Sequence, residues 1–172
     1  MVRRASRRIA TLAALTVLSV VGALQVSTAP VMAGQALGPV TFQVSAGQFM
    51  CLDAAADQMR NGGKIQLWTC NGQPQQIWYV EANGVMRNGR NLNFCLEAHG
   101  QQIRNGGTVQ LWTCNYSSWQ RWYEGPSLSR QNGQNRSLCL DAKAQEIRNG
   151  GRIQLWTCNG QPQQRWTPLE AF

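Results

Sequence analysis

A single histidine, His99, and the absence of any C-x-x-C pair leave the chain without the donors of a structural zinc site, so no metal is expected. The same lone histidine leaves no Ser-His-Asp arrangement for nucleophilic catalysis. Charged residues make up only 14% of the sequence, and the basic ones are scattered. Without a Lys/Arg run there is no electrostatic footprint for nucleic acid. No stretch keeps a helical apolar period over a useful length, and the density of turns excludes linear helical repeats. No motif calls for a cofactor, and none is expected.

Long apolar runs are also missing, with one exception. Arg3, Arg4, Arg7 and Arg8 precede an apolar stretch from Ile9 to Leu24, and small residues follow up to Val31-Met32-Ala33. That order reads as a secretory signal peptide over residues 1–33. The run is too short for a transmembrane helix and leads into a cleavage pattern, so no membrane insertion is expected. Residues 34–39 read as a linker ending at Pro39. The leader holds four of the 16 basic residues and none of the eight acidic ones, so twelve basic residues face eight acidic ones beyond it, a net charge of +4. Residues 40–172 are one domain's worth of chain, enough for a proper core.

What the chain has in abundance is itself. The 28 residues from Cys51 to Trp78 recur from Cys95 to Trp122 and from Cys139 to Trp166, at steps of 44 with no gap. The first and third copies share 22 of these positions and the first and second share 16. A fixed period of this kind is the signature of a repeat architecture, with units over about 40–80, 81–124 and 125–168. All six cysteines lie inside the copies, two in each. A secreted chain favours disulfides. The three-fold repeat leaves two symmetric pairings, within each copy or from each copy to the next. Closure within the copy needs only a short local loop, and Cys51–Cys70, Cys95–Cys114 and Cys139–Cys158 are the expected bridges.

The local signals are those of short strands and tight turns. Val40–Val44, Val85–Arg87 and Ser127–Arg130 read as the opening strand of each unit. Arg60-Asn61-Gly62-Gly63 and its two counterparts read as a turn with glycines free to take positive φ. Ile65-Gln66-Leu67-Trp68 then alternates as a strand does, and a last strand is expected to carry Gln76-x-Trp78. This gives about four strands per unit and about twelve in all. Units of this size cannot bury a face alone, so three must share one core; a propeller needs at least four blades.

Alternation also sorts the side chains. Ile65 and Leu67, with Val109 and Leu111 and with Ile153 and Leu155, must face the core. Gln66 and Trp68, Gln110 and Trp112, and Gln154 and Trp156 then face outward. Arg121 and Arg165 mark solvent just before Trp122 and Trp166, so those tryptophans and Trp78 point inward with Gln120, Gln164 and Gln76 on their side. If the two cysteines of a copy face each other across a regular antiparallel ladder, Asp53 lies opposite Trp68, Glu97 opposite Trp112 and Asp141 opposite Trp156. An outward indole, a carboxylate and an amide can hold a sugar: the ring covers the apolar C–H face of a pyranose, and the polar groups take its hydroxyls. Glycoside hydrolysis needs two flanking carboxylates, and each copy offers one at this position.

Cys-Leu-Asp, Gln-Leu-Trp-x-Cys-Asn and Gln-x-Trp, three times over, resemble the ricin-B-type lectins and the related carbohydrate-binding modules of bacterial glycosidases. The resemblance implies an all-β trefoil, a six-stranded barrel capped by three hairpins, with one disulfide per unit and up to three shallow sugar sites. It implies ligands of galactose or xylan type; with the leader and the single carboxylate per unit, the chain reads as a secreted, non-enzymatic, monomeric protein whose partners are glycans or polysaccharides. The family's binding residues fall on Asp53, Gln66, Trp68, Asn71 and Gln76 in the first unit and on Asp141, Gln154, Trp156, Asn159 and Gln164 in the third; Gln75 and Gln163 stand where the family usually has asparagine, and their longer amides are expected to serve the sugar in its place. The second unit, with Glu97, Gln110, Trp112 and Gln120, departs furthest: Glu97 replaces the aspartate, Asn115 is followed by Tyr116, and Trp119 stands where the family usually has asparagine. It is expected to be the weaker site. A trefoil protease inhibitor is the competing reading; such proteins use one protruding loop, whereas this chain repeats its loops and their chemistry.

Overall fold

The computed structural model describes residues 37–171. The expected signal peptide and residues 34–36 lie outside them. Twelve strands carry the described chain: β1 (Leu37–Val44), β2 (Met50–Ala54), β3 (Gly63–Thr69), β4 (Ile77–Val80), β5 (Met86–Asn88), β6 (Asn91–Ala98), β7 (Val109–Thr113), β8 (Trp122–Glu124), β9 (Arg130–Asn132), β10 (Leu138–Ala142), β11 (Ile153–Thr157) and β12 (Trp166–Glu170). The only helical pieces among the described residues are three-residue 3₁₀ turns.

Every strand pair is antiparallel. β1 pairs with β12, β2 and β4, and β4–β5 and β8–β9 continue the barrel wall. An isolated bridge, Val85↔Arg121, ties the start of the second unit to its end, just ahead of β8. The hairpins β2–β3, β6–β7 and β10–β11 form the cap. The architecture is the β-trefoil.

The alternation read from the sequence holds for the aliphatic face, while Gln66, Gln110 and Gln154 lie on the opposite face as expected but are themselves buried there. Ile65, Leu67, Val109, Leu111, Ile153 and Leu155 are buried, packed with Leu52, Leu96 and Leu140 in one cluster. Trp78, Trp122 and Trp166 lie in the same core. Each indole Nε1 donates to a leucine carbonyl of its own unit: Trp78 to Leu52 O at 3.1 Å, Trp122 to Leu96 O and Trp166 to Leu140 O at 3.0 Å. The donor that burial would otherwise strand is thereby satisfied.

The glycine turns do more than reverse the chain. Gly62, Gly106 and Gly150 have φ of +76°, +76° and +78°. A Cβ on the next glycine, Gly63, Gly107 or Gly151, would stand 2.0, 1.9 or 1.9 Å from a backbone oxygen, so only glycine fits. The asparagine ahead of them reaches into the next unit. Asn61 Oδ1 accepts from the Thr113 amide and hydroxyl, Asn105 Oδ1 from those of Thr157, and Asn149 Oδ1 from those of Thr69. The interlock runs first unit to second, second to third and third back to first, so the three hairpins close as a ring.

Some sequence expectations are corrected. β1 begins at Leu37, three residues ahead of Val40, because the chain already pairs with Val80 of β4 there. The second unit's opening strand starts at Met86 rather than Val85. In the third unit it starts at Arg130, because Pro126–Leu128 forms a 3₁₀ turn with positive φ at Ser127 and Leu128. Gln76, Gln120 and Gln164 do not lie in a strand. Each closes a 3₁₀ turn just before one, at Pro74–Gln76, Ser118–Gln120 and Pro162–Gln164.

Candidate functional site

The disulfides close within each unit, Cys51–Cys70, Cys95–Cys114 and Cys139–Cys158, each with a Cα–Cα distance of 5.1 Å. They do not face each other squarely in the ladder. Cys51 pairs with Trp68, and Asp53 pairs with Gln66. The same correction applies to Glu97, opposite Gln110 rather than Trp112, and to Asp141, opposite Gln154 rather than Trp156. The physical reason is that Cys70 lies beyond the end of β3, where its amide bonds Phe49 O, so the bridge crosses diagonally. The slip is two residues, and an even slip leaves every side chain on its expected face.

Carboxylate, amide and indole therefore still meet on the outer side of each hairpin. In the first unit Gln66 Nε2 donates to Asp53 Oδ1 at 2.9 Å. In the third, Gln154 Nε2 donates to Asp141 Oδ1 at 2.9 Å and Gln164 Nε2 to Oδ2 at 3.0 Å. In the second, Gln110 and Gln120 hold the two oxygens of Glu97 at 3.0 and 2.8 Å. Burial pushes the Asp53 and Asp141 carboxyls above their ordinary range, and the glutamine amides oppose that shift without cancelling it. Each carboxylate oxygen keeps a lone pair for a further donor.

Three depressions open over these groups. The first, about 370 Å³, is lined by Asp53, Gln66, Trp68 and Gln75, with Asp57, Gln58 and Lys64 on its rim. The third, about 270 Å³, is lined by Asp141, Gln154, Trp156 and Gln163, with Lys143, Ala144 and Gln145. The second, about 340 Å³, is lined by Glu97, Gln110, Trp112 and Asn115, with His99, Gly100, Gln101 and Trp119. Trp68 and Trp156 are 38% and 40% exposed, outside the core.

Other expected residues sit behind these depressions. Gln76, Gln120 and Gln164 are fully buried. Each carries its Nε2 to a threonine carbonyl, Thr69, Thr113 or Thr157, and accepts the Asn71, Asn115 or Asn159 amide on Oε1. Their place is to fix the carboxylate and the following turn. The side chains of Asn71 and Asn159 accept from the amides of Gln73 and Gln161 and shape that turn. Lys64, Lys143, His99 and Gly100 were not picked out as site residues from sequence. Three of them sit in the variable segment after Cys-Leu-Asp/Glu, and the three-way difference there was the one available signal.

The residues from 40 to 166 match the family model of the ricin-type β-trefoil lectin domain, and the chain belongs to that family. A 41-residue stretch is 42% identical to the β-galactoside-specific lectin 2 of Viscum album, covering 23% of this chain and 7% of that protein. This chain thus spans a small part of that relative. The fold is similar to the C-half of the earthworm R-type lectin, solved in complex with GalNAc (TM-score 0.63, 20% identity, 77% of this chain and 98% of that one). It is similar also to the designed three-fold symmetric protein ThreeFoil (TM-score 0.69, 16% identity, 78% of this chain and 99% of that one).

Proposed function

We propose that the chain is a secreted, non-catalytic lectin whose hairpin depressions bind glycans of galactose or xylan type. One observation carries the reading: an indole, a strand glutamine and a glutamine-braced carboxylate recur in one shallow depression per unit, at equivalent positions, with the indole exposed in the first and third units and half-buried in the second. The indole offers an apolar face to a pyranose, the carboxylate accepts hydroxyl hydrogens, and Gln66 or Gln154 and Gln75 or Gln163 supply the remaining donors and acceptors. Gln76 and Gln164 position the carboxylate rather than touch the sugar. The Viscum relative's name and the GalNAc complex of the earthworm neighbour favour galactose-type sugars. The basic, apolar leader and the three disulfides favour secretion.

Sites held on one rigid body give avidity toward a polysaccharide even when each is weak. The test is retention on galactose-type and xylan-type affinity matrices. Wild-type protein should be retained on one of them, and the Trp68→Ala/Trp156→Ala double variant should elute in the void. Equal retention of both proteins would remove these tryptophans from the binding site.

A further inference from the structure

The second depression differs from the other two by a matched pair of residues. Where the first and third units have Gln75 and Gln163, the second has Trp119; where they have Ala56 and Ala144, it has Gly100. These two positions touch. A Cβ placed on Gly100 would stand 2.8 Å from three ring carbons of Trp119, so the indole lies against bare backbone that alanine would deny it. Trp119 nevertheless keeps 38% of its surface exposed and lines the same depression as Trp112. The second depression is therefore open and bordered by two indoles, Trp112 from β7 and Trp119 from the turn before β8. It has exchanged an amide for an aromatic wall. Glu97, held by Gln110 and Gln120, still forms its floor.

From this geometry we infer that the second depression, resting on the carbohydrate reading above, selects pyranoses with all-equatorial hydroxyls, of glucose or xylose configuration, over galactose. In an all-equatorial ring the axial positions on both faces carry hydrogen, so both faces are apolar. In galactose the axial O4 stands on one face and must be solvated or hydrogen-bonded. A depression with one indole and an extra amide can hold such a sugar by its single apolar face and serve the axial hydroxyl. A depression with two indoles leaves a hydroxyl directed at an aromatic wall without a partner, which is costly. Trp119 and Gly100 are then the residues that set specificity, and one chain carries sites for two classes of sugar.

The experiment is an NMR titration of the indole N–H signals with two epimers, methyl β-D-glucopyranoside and methyl β-D-galactopyranoside. Trp112 and Trp119 should move with the glucoside at a concentration at least about fivefold lower than with the galactoside, the size expected for one aromatic face. In the Gly100→Ala/Trp119→Gln variant, which restores the pair found in the other units, that preference at Trp112 should vanish. Unshifted signals of the buried Trp78, Trp122 and Trp166 would report an intact fold; if they shift, Trp119→Ala with Gly100 retained serves instead. A galactoside preference at Trp112, no preference, or one that survives the exchange overturns the inference. Silent Trp112 and Trp119 beside responding Trp68 and Trp156 overturn it alone. Silence of all exterior indoles toward both sugars, with no retention on either affinity matrix, overturns the carbohydrate reading as well.

Discussion

Replacing Trp166 with alanine and, separately, Trp156 with alanine perturbs two indoles of the same unit that the fold uses in opposite ways. Trp166 is fully buried, and its Nε1 satisfies Leu140 O at 3.0 Å. Truncation leaves a cavity in a core shared by all three units, at a cost of roughly 3–5 kcal/mol. The orphaned Leu140 carbonyl pushes the value toward the upper end of that range. Against the roughly 5–15 kcal/mol that holds a domain together, this is a large fraction. In a domain of this size it lowers the melting temperature by roughly 10–20 °C. Trp156 is 40% exposed, and its loss costs about 1 kcal/mol or less, a shift of a few degrees. Circular-dichroism melts of both variants with disulfides intact, alongside a sugar titration, separate the two. If Trp156→Ala melts far lower while Trp166→Ala melts normally and only loses sugar, the face assignment is reversed and the site must be sought on the other side of the strands.

The buried carboxyls of Asp53 and Asp141 sit above their ordinary value of 3.8, so the folded chain takes up protons before the unfolded chain does as pH falls. Their contribution to stability therefore increases on acidification, and is complete below the unfolded value, while on the proposed reading their acceptance of sugar hydroxyls weakens as pH falls through the raised folded value. Acid should elute the protein from a sugar matrix still folded, and elution that merely tracks unfolding would refute this. Tyr116 holds φ of +60° where Gly72 and Gly160 have +68° and +67°, and its ring receives Arg87. Tyr116→Gly trades relief of left-handed strain against that contact and should change stability by no more than about 1 kcal/mol, whereas β-branched Tyr116→Val should lose about 1–2 kcal/mol in urea unfolding. Gly107→Ala sets a Cβ 1.9 Å from Gln102 O and should cost more than about 2 kcal/mol; a melt equal to wild type would mean the turn rearranges freely.

The repeat, the aliphatic and aromatic faces and the bridges were legible because each rests on a period that survives small errors of register. The side-by-side placement of Asp53 and Gln66 was not, because nothing in Cys51 or Cys70 says that the second cysteine lies past its strand and bonds diagonally. Gln76 and its counterparts were placed on the correct side, but the proline or serine two residues earlier turns the chain into a 3₁₀ coil, which strand alternation does not anticipate. The asparagine interlock between units was invisible for another reason. Asn61 and Thr113 are 52 residues apart, and only the closed three-fold ring brings them together. The Trp119–Gly100 contact leaves two separate anomalies in the sequence, and the fold joins them.

On the proposed reading, sugar lies on the outer indoles over the braced carboxylates. A crystal of residues 34–172, soaked in methyl β-D-galactopyranoside, tests it directly. Electron density for a pyranose is expected against Trp68 and Trp156, with hydroxyls within hydrogen-bond distance of Asp53 and Asp141. Density seated elsewhere on the surface, with both depressions empty at a sugar concentration that saturates binding in solution, would contradict it.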